Sequence, residues 1–356
     1  MKNKYMSVSL RPFKYLSPSV HTKGLVFLIV LIPQVVMLFL TRSWNALQVL
    51  FCTTAASFAV TGIDCFFEQK RAYDWISALV RALIIGLLIP SDYPLFSVFL
   101  VTFSVLLVVT YFLGGFADSW VNPVALTVAV CWMLSAHFFP ESLLQTEDLS
   151  SKNLSLLFIQ NGNIPVMPID ARITSFLNKT VFNLFSVSIP EGFVSLLWDS
   201  HSLIPAFRFN LLTLFTSIFL ISFDIIGMLI PAIYLVVYCL LVRFVAPVFY
   251  GGTVGQGDML FALLTSGTLF CTVFLLQWYG TMPITLTGKI AYGIISGIAV
   301  FLIVGVGDSG VGSVFTILVV NVIVPLIHAI ETAAEKRYLN HILLPKVEAF
   351  KDGQHA

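Results

Sequence analysis

Ten apolar runs, each long enough or nearly long enough to cross a lipid bilayer, constrain this chain more than any other feature. A helix needs about 20 apolar residues to span the hydrocarbon core, fewer where it is buried in a bundle. The runs fall near 24–41, 45–66, 75–90, 94–113 and 121–139, then near 207–222, 225–246, 257–277, 289–306 and 311–330. Backbone polar groups in lipid must be satisfied within each segment, so these runs are expected as helices. The expectation is an all-α polytopic membrane protein of about ten transmembrane helices, arranged as two sets of five.

Composition agrees. The chain is 58% hydrophobic and 10% charged, with a mean hydropathy of +0.94. Soluble domains run roughly 45–50% apolar and about 25% charged. A net charge of +1 gives no reason to expect a nucleic-acid partner. The cysteines (Cys52, Cys65, Cys131, Cys239, Cys271) lie in or beside apolar runs without a CxxC pair, so they read as small buried residues. The six histidines do not cluster, and no spacing suggests a metal site. There is no GxGxxG or Walker loop, and the glycine-rich GGTVGQGD (251–258) follows no strand, so it reads as a flexible entry into a span.

Lysine and arginine set the orientation. Lys2, Lys4, Arg11, Lys14 and Lys23 precede the first run, and Lys336, Arg337, Lys346 and Lys351 follow the last. Both ends are therefore expected in the cytoplasm, with the mildly acidic segment between the two sets outside. Arg42 and Arg243 are exceptions on outer edges. The amino terminus lacks a cleavable signal pattern, so the first run is expected to stay as a span. The resulting division is a basic amino terminus (1–23), a first five-helix half (24–139), a polar segment (140–206), a second half (207–330) and a tail (331–356). Two sets of five suggest an internal repeat. ALVRALIIGLLIP (78–90) has an echo in AYGIISGIAVFLI (291–303), and Asn122-Pro123 has one in Asn321 and Pro325. Inverted repeats around a midplane site recur in membrane transport folds.

One break stands out between apolar runs: FLGGFADSWVNPVAL (112–126), with Gly114, Gly115, Asp118, Asn122 and Pro123. Glycine loosens a helix and proline removes a backbone donor. The stretch is either a turn between spans or a re-entrant break lining an internal site. Ionisable residues inside spans are costly and often functional. Arg81 interrupts the third run and is either an internal group or a snorkelling one. Asp64, Asp224, Asp258 and Asp308 fit turn and cap chemistry. In the outer segment, MPIDARITSFLNKT (167–180) sets an acid before clustered hydroxyls, which composition alone reads as turn and cap chemistry. Asn153 and Asn178 begin glycosylation sequons, relevant only in a eukaryotic secretory setting.

Several segments, in order, resemble one family, RnfD/NqrB, whose members are membrane components of the Rnf ion-translocating oxidoreductase and of the related Nqr sodium pump. SPSVHTKG (17–24), LIPQVVMLF (31–39), RALIIGLLIPSDYPLF (81–96), LLTSGTLF (263–270), TMPITLTGKIAYGIISGIAVFLI (281–303) and VVNVIVPLI (319–327) are similar to its segments. LGGFADSWVNPVALT (113–127), similar to an FGGxGxNxFNPA motif, is the most specific match. The length suits the RnfD branch better than the longer NqrB branch.

The resemblance implies two pseudo-symmetric five-helix halves in a bacterial inner membrane. It implies a chain that works with other membrane and peripheral components of an Rnf- or Nqr-like complex. That complex passes electrons between ferredoxin and NAD, or from NADH to quinone, and couples the flow to Na⁺ or H⁺ transport. It also implies FMN on a threonine within a D-x-x-S-G-A-T pattern. Here Asp170 and the Thr174-Ser175 pair stand in that neighbourhood. Phe176 occupies the sixth position after Asp170, so a shifted attachment would use Thr174 or Ser175. Other departures are Thr110 for the lysine before FGG, Leu276-Gln277-Trp278-Tyr279 for ATDP, and Ile189-Pro190-Glu191-Gly192 for a PGS-GE stretch. Gly114, Gly115, Asn122, Pro123 and Arg81 would serve an ion path or a structural break. Against the redox role stand a small-solute channel or secondary transporter, and a scaffold that kept the fold without the flavin.

Overall fold

The computed structural model describes residues 19–67, 75–114, 119–140, 155, 159, 161–162, 165–185, 188–249, 252–278, 280–306 and 310–352. Gly115, Asp118, Asp308, Asn153 and the charged stretch at 68–74 lie outside them. No strand occurs among the described residues. The first set of helices is α1 (Val20–Leu40), α2 (Trp44–Phe67), α3 (Trp75–Leu88), α4 (Leu95–Phe112) and α5 (Pro123–Leu134). Two short helices follow in the polar segment, α6 (Asp170–Thr180) and α7 (Phe193–Trp198). The second set is α8 (Asn210–Ser222), α9 (Leu229–Phe249), α10 (Met259–Thr265), α11 (Thr268–Phe274), α12 (Leu286–Val300) and α13 (Gly312–Asp352).

Six of the described helices are long and apolar enough to cross a membrane: α1, α2, α4, α9, the α12 region and α13. Helices α3, α5 and α8 are apolar but shorter, as helices packed inside a bundle can be. The chain is thus a multi-pass membrane protein. Where the sequence reads one span at 257–277, the structure has two seven-residue helices, α10 and α11. They part at Ser266-Gly267, with Gly267 at φ 69°. A Cβ on Gly267 would lie 2.1 Å from the Phe207 ring, so the break rests on glycine and on a neighbour that fills its space. The last helix runs without interruption into the expected tail. Helix α9 passes through a π-helical turn at Leu241–Val245, and α12 continues into another at Phe301–Val306. Such turns arise where an extra residue is accommodated without ending the helix.

The packing order repeats. Helix α2 packs on α3 and α4, α4 on α5, and α1 on α3; likewise α9 packs on α12, α12 on α13, and α8 on α11. The correspondence pairs α1 with α8, α2 with α9, α3 with α10–α11, α4 with α12 and α5 with α13. Elements related by the repeat also touch each other, α1 with α8 and α5 with α13. The Asn122 and Asn321 echo therefore joins equivalent helices. The echo between 78–90 and 291–303 does not, because it links α3 to α12. One hydrophobic core runs through both sets, with Leu31, Ile84, Val124, Phe207, Phe270 and Val320 all in it.

The connections define two ends. Ser91 N–H donates to Leu203 O at 3.1 Å, and Arg208 Nη1 donates to Ser43 Oγ at 2.8 Å. The turns after α1 and α3 thus share an end with the polar segment. At the other end the Gln277 amide clamps the Gly227 peptide, with bonds of 2.9 and 2.6 Å.

Candidate functional site

The residues singled out in the sequence fall at opposite ends of the bundle. At the polar-segment end, α6 opens with Asp170, whose side chain is fully buried. Its Oδ1 accepts from the Thr174 hydroxyl at 2.9 Å and from Gly192 N–H at 2.9 Å. Its Oδ2 accepts from Ser195 N–H at 2.7 Å and from the Ser195 hydroxyl. Residues 170 and 174 stand one turn apart on one helix face, which explains the first bond. The others reach the first turn of α7, where amides lack intrahelical partners. Gly192, at φ 102°, makes this approach possible: a Cβ there would meet Ile159 Cγ2 at 2.3 Å. Burial alone would push the Asp170 carboxyl up. The bonds from Gly192, Ser195 and Thr174 outweigh it and hold the carboxyl below its usual range. The cap chemistry read from 167–180 is therefore present, but it caps a different helix.

One turn beyond Thr174, Asn178 grips the Ile189 peptide: its Nδ2 donates to Ile189 O at 2.8 Å and its Oδ1 accepts from Ile189 N–H at 2.9 Å. Two cavities adjoin this face of α6. The first, about 340 Å³, is apolar, walled by Leu177, Phe182, Phe193, Leu197, Leu214 and Leu263 between α6, α7 and the second half. The second, about 320 Å³, is polar, with Ser175, Lys179, Pro190 and Glu191 on its walls. Thr174, Asn178 and Ile189 line both. An apolar cavity beside a polar one suits an amphiphile whose ring or chain enters the first and whose head occupies the second. The Thr174 hydroxyl is buried and committed to Asp170. Ser175 is exposed in the polar chamber, and Phe176, 64% exposed, turns away from the core.

At the other end, α4 ends at Phe112 and α5 begins at Pro123, and residues 115–118 between them lie outside the described residues. Gly114 has φ 94°. Asn122 caps α5, accepting from Val124 N–H at 2.9 Å and Ala125 N–H at 3.2 Å, and Pro123 takes the first helical position. Asn122 also bridges the halves: its Nδ2 donates to Leu275 O at 3.1 Å. In the amide orientation that satisfies both its atoms, Asn321 accepts from Asn122 N–H at 2.8 Å. Arg81 is internal, 5% exposed, and donates to Thr61 Oγ1 at 3.2 Å. Asp224 sits at φ 54° in the turn before α9. Back at the polar-segment end, Asp258 caps α10 through Phe261 N–H at 3.0 Å and accepts from Ser155 N–H at 2.9 Å.

Sequence reasoning missed Ser195 and Asn178 as site residues. No local pattern marks either, because their partners lie 25 and 11 residues away along the chain.

Fold and site together define a polytopic helical membrane protein with an apolar and a polar cavity side by side against the bundle at one end. The chain belongs to the NQR2, RnfD, RnfE family, whose model matches residues 7–336. It is a membrane component of an Rnf/Nqr-type complex, the class in which electron and ion transport are joined. No curated protein matches it.

Proposed function

We propose that this chain is the flavin-bearing membrane component of a ferredoxin:NAD oxidoreductase complex that couples electron transfer to Na⁺ or H⁺ movement across a bacterial inner membrane. The paired cavities at α6 carry the proposal. Its apolar part suits a flavin ring, and its polar part offers Lys179, Ser175 and Asn178 to a phosphate and ribityl chain. Glu191, on the same wall, opposes a phosphate, so the head would sit toward Lys179. FMN, when bound, would supply one-electron chemistry; the protein's part is to position it and exclude water. Asp170 would fix α6 against α7, and Asn178 would hold the Ile189 segment that both chambers share. Ser175 is the hydroxyl that the geometry leaves available for a phosphoester, since Thr174 donates to Asp170.

The test is flavin fluorescence from the purified native complex, read after a denaturing gel and after acid extraction. Fluorescence that stays with the chain and is lost in Ser175→Ala is the expected result. Flavin found only in the extract would mean a non-covalent cofactor in the same chambers. An intact complex without flavin in either fraction would overturn the flavin reading and favour a scaffold of the same fold; a chain that assembles with no redox partners would favour a solute transporter.

A further inference from the structure

The polar segment carries an apolar surface that the proposed cofactor site does not use. On α6 the buried face is Asp170 and Thr174, with Leu177 and Asn178 toward the cavities. Ile169, Ile173 and Phe176 follow one another at spacings of four and three, so they share a different face. All three are exposed, and so are Val166, Val181 and Leu184 beyond the ends of the helix. Arg172 and Lys179, also exposed, lie one turn to either side of Phe176 and border this stripe along one edge. Past that edge come Ala171 and Ser175, on the polar cavity. Helix α6 thus has three sectors: one against the bundle, one on the polar cavity and one bare apolar stripe.

A contiguous apolar stripe is costly in water and marks a contact. The place of α6 in the molecule says with what. Trp44 opens α2 at the polar-segment end, is exposed and packs edge-on to Phe39 at 6.5 Å. Tryptophan concentrates at the membrane–water boundary, so Trp44 marks that boundary. Beside it, Ser43 accepts from Arg208, whose Nε and Nη2 donate to Asp199 at 3.1 and 2.6 Å. Asp199 ends α7 directly after Trp198, a second exposed tryptophan. Helix α7 is thus tied to the boundary, and Asp170 locks α6 to α7. The lipid-facing surface of the bundle also continues up to α6. Leu260, exposed in the first turn of α10, walls the same apolar cavity as Thr174 and Leu177.

We propose that α6 lies in the interfacial layer of the bilayer as a surface-bound helix. Ile169, Ile173 and Phe176 enter the upper acyl chains, and the Arg172 guanidinium meets lipid phosphate. A helix with an apolar stripe edged by basic residues takes this position, and guanidinium matches phosphate oxygens with a two-pronged fork. Lys179 lies on the polar cavity and is left to it. Boundary tryptophans and a neighbouring lipid-facing leucine favour lipid over a protein partner on this stripe. The same placement accounts for Phe176, which stands where the resemblance leads to a hydroxyl. At that point of the helix a side chain meets lipid and not the cavities. The bilayer then holds α6 from outside as Asp170 holds it from within, with or without a flavin.

Two measurements test this. In the first, the full chain is reconstituted alone in nanodiscs whose phospholipids carry bromine high on the acyl chain. Phe176→Trp keeps an aromatic ring at an exposed position, so the fold is retained. The emission it adds to that of the parent should be largely quenched relative to nanodiscs without bromine. Added emission that bromine leaves unchanged would overturn the proposal. In the second, p-benzoylphenylalanine replaces Phe176 in native membranes and is photoactivated, and the α6 peptide is weighed by mass spectrometry. A phospholipid adduct is expected. A protein adduct would overturn the proposal and make the stripe a docking face for a partner. A peptide without any adduct would overturn it and leave the stripe in water. In the same background, Arg172→Gln should lower the excess of anionic over zwitterionic lipid among the adducts, by up to about fivefold. An unchanged lipid ratio would overturn the contact between Arg172 and phosphate.

Discussion

Asp170 shows how one side chain can organise a site. Its carboxylate gathers four donors from α6 and α7, and no oxygen is left to water. Asp170→Asn would set an NH₂ group against two of those donors, at a cost of about 3 kcal/mol, seen as faster limited proteolysis of the α6–α7 region. The same carboxyl gives a pH dependence of definite sign. Its folded pKa lies below the ordinary value of 3.8, so its contribution is complete above that value. It is lost as the pH falls through the folded pKa. Protease resistance of this region should therefore drop only below about pH 4, and Asp170→Asn should remove that dependence. Asn122 is the counterpart at the other end. It caps α5 and donates across the halves, so Asn122→Ala should cost about 2 kcal/mol by thermal unfolding. Asn122 was legible in the sequence as half of an Asn-Pro break between spans, and its capping of α5 was not. Nor was its bond to Leu275, because 153 residues separate the two.

Among the elements, the instructive pair is α3 and its broken equivalent. In α3, Gly86 lets α2 approach: a Cβ there would lie 2.7 Å from both Leu50 Cδ2 and Thr53 Oγ1. Gly86→Val should push the helices apart, disturb the bond from Thr53 to Ala82 and lower the unfolding temperature, despite the better helix propensity of valine. In α10–α11, Gly267→Ala would force an alanine into a left-handed conformation and into the Phe207 ring. A loss of about 2 kcal/mol is expected. Adding Phe207→Ala should restore part of it, which a double-mutant cycle measures. The apolar run at 257–277 reads as one span because hydropathy counts residues and not backbone angles. Only the packing of Phe207 against Gly267 shows that the span is interrupted. In the same way, hydropathy located the last span and could not show that its helix continues to Asp352.

For the whole molecule, two ends with different chemistry make a directional prediction. Ser175 lies at the polar-segment end and Met228 at the other, both exposed. If the basic termini face the cytoplasm, Ser175→Cys should react with an impermeant maleimide on intact cells. Met228→Cys should react only after the membrane is opened. Labelling in the opposite order would invert the topology. The sequence alone determined the class, since repeated apolar runs with few charges leave a helical bundle as the way to satisfy backbone groups in lipid. It also located the break at 112–126, the acid at 170 and the hydroxyls beside it, which are local features. The tertiary structure decided what those residues do. It turned Asp170 into the acceptor that locks α6 to α7, committed Thr174 and left Ser175 exposed, and joined Asn122 to Asn321. Each of these depends on partners brought together by packing between the halves or across the polar segment, and hydropathy carries no record of such pairings.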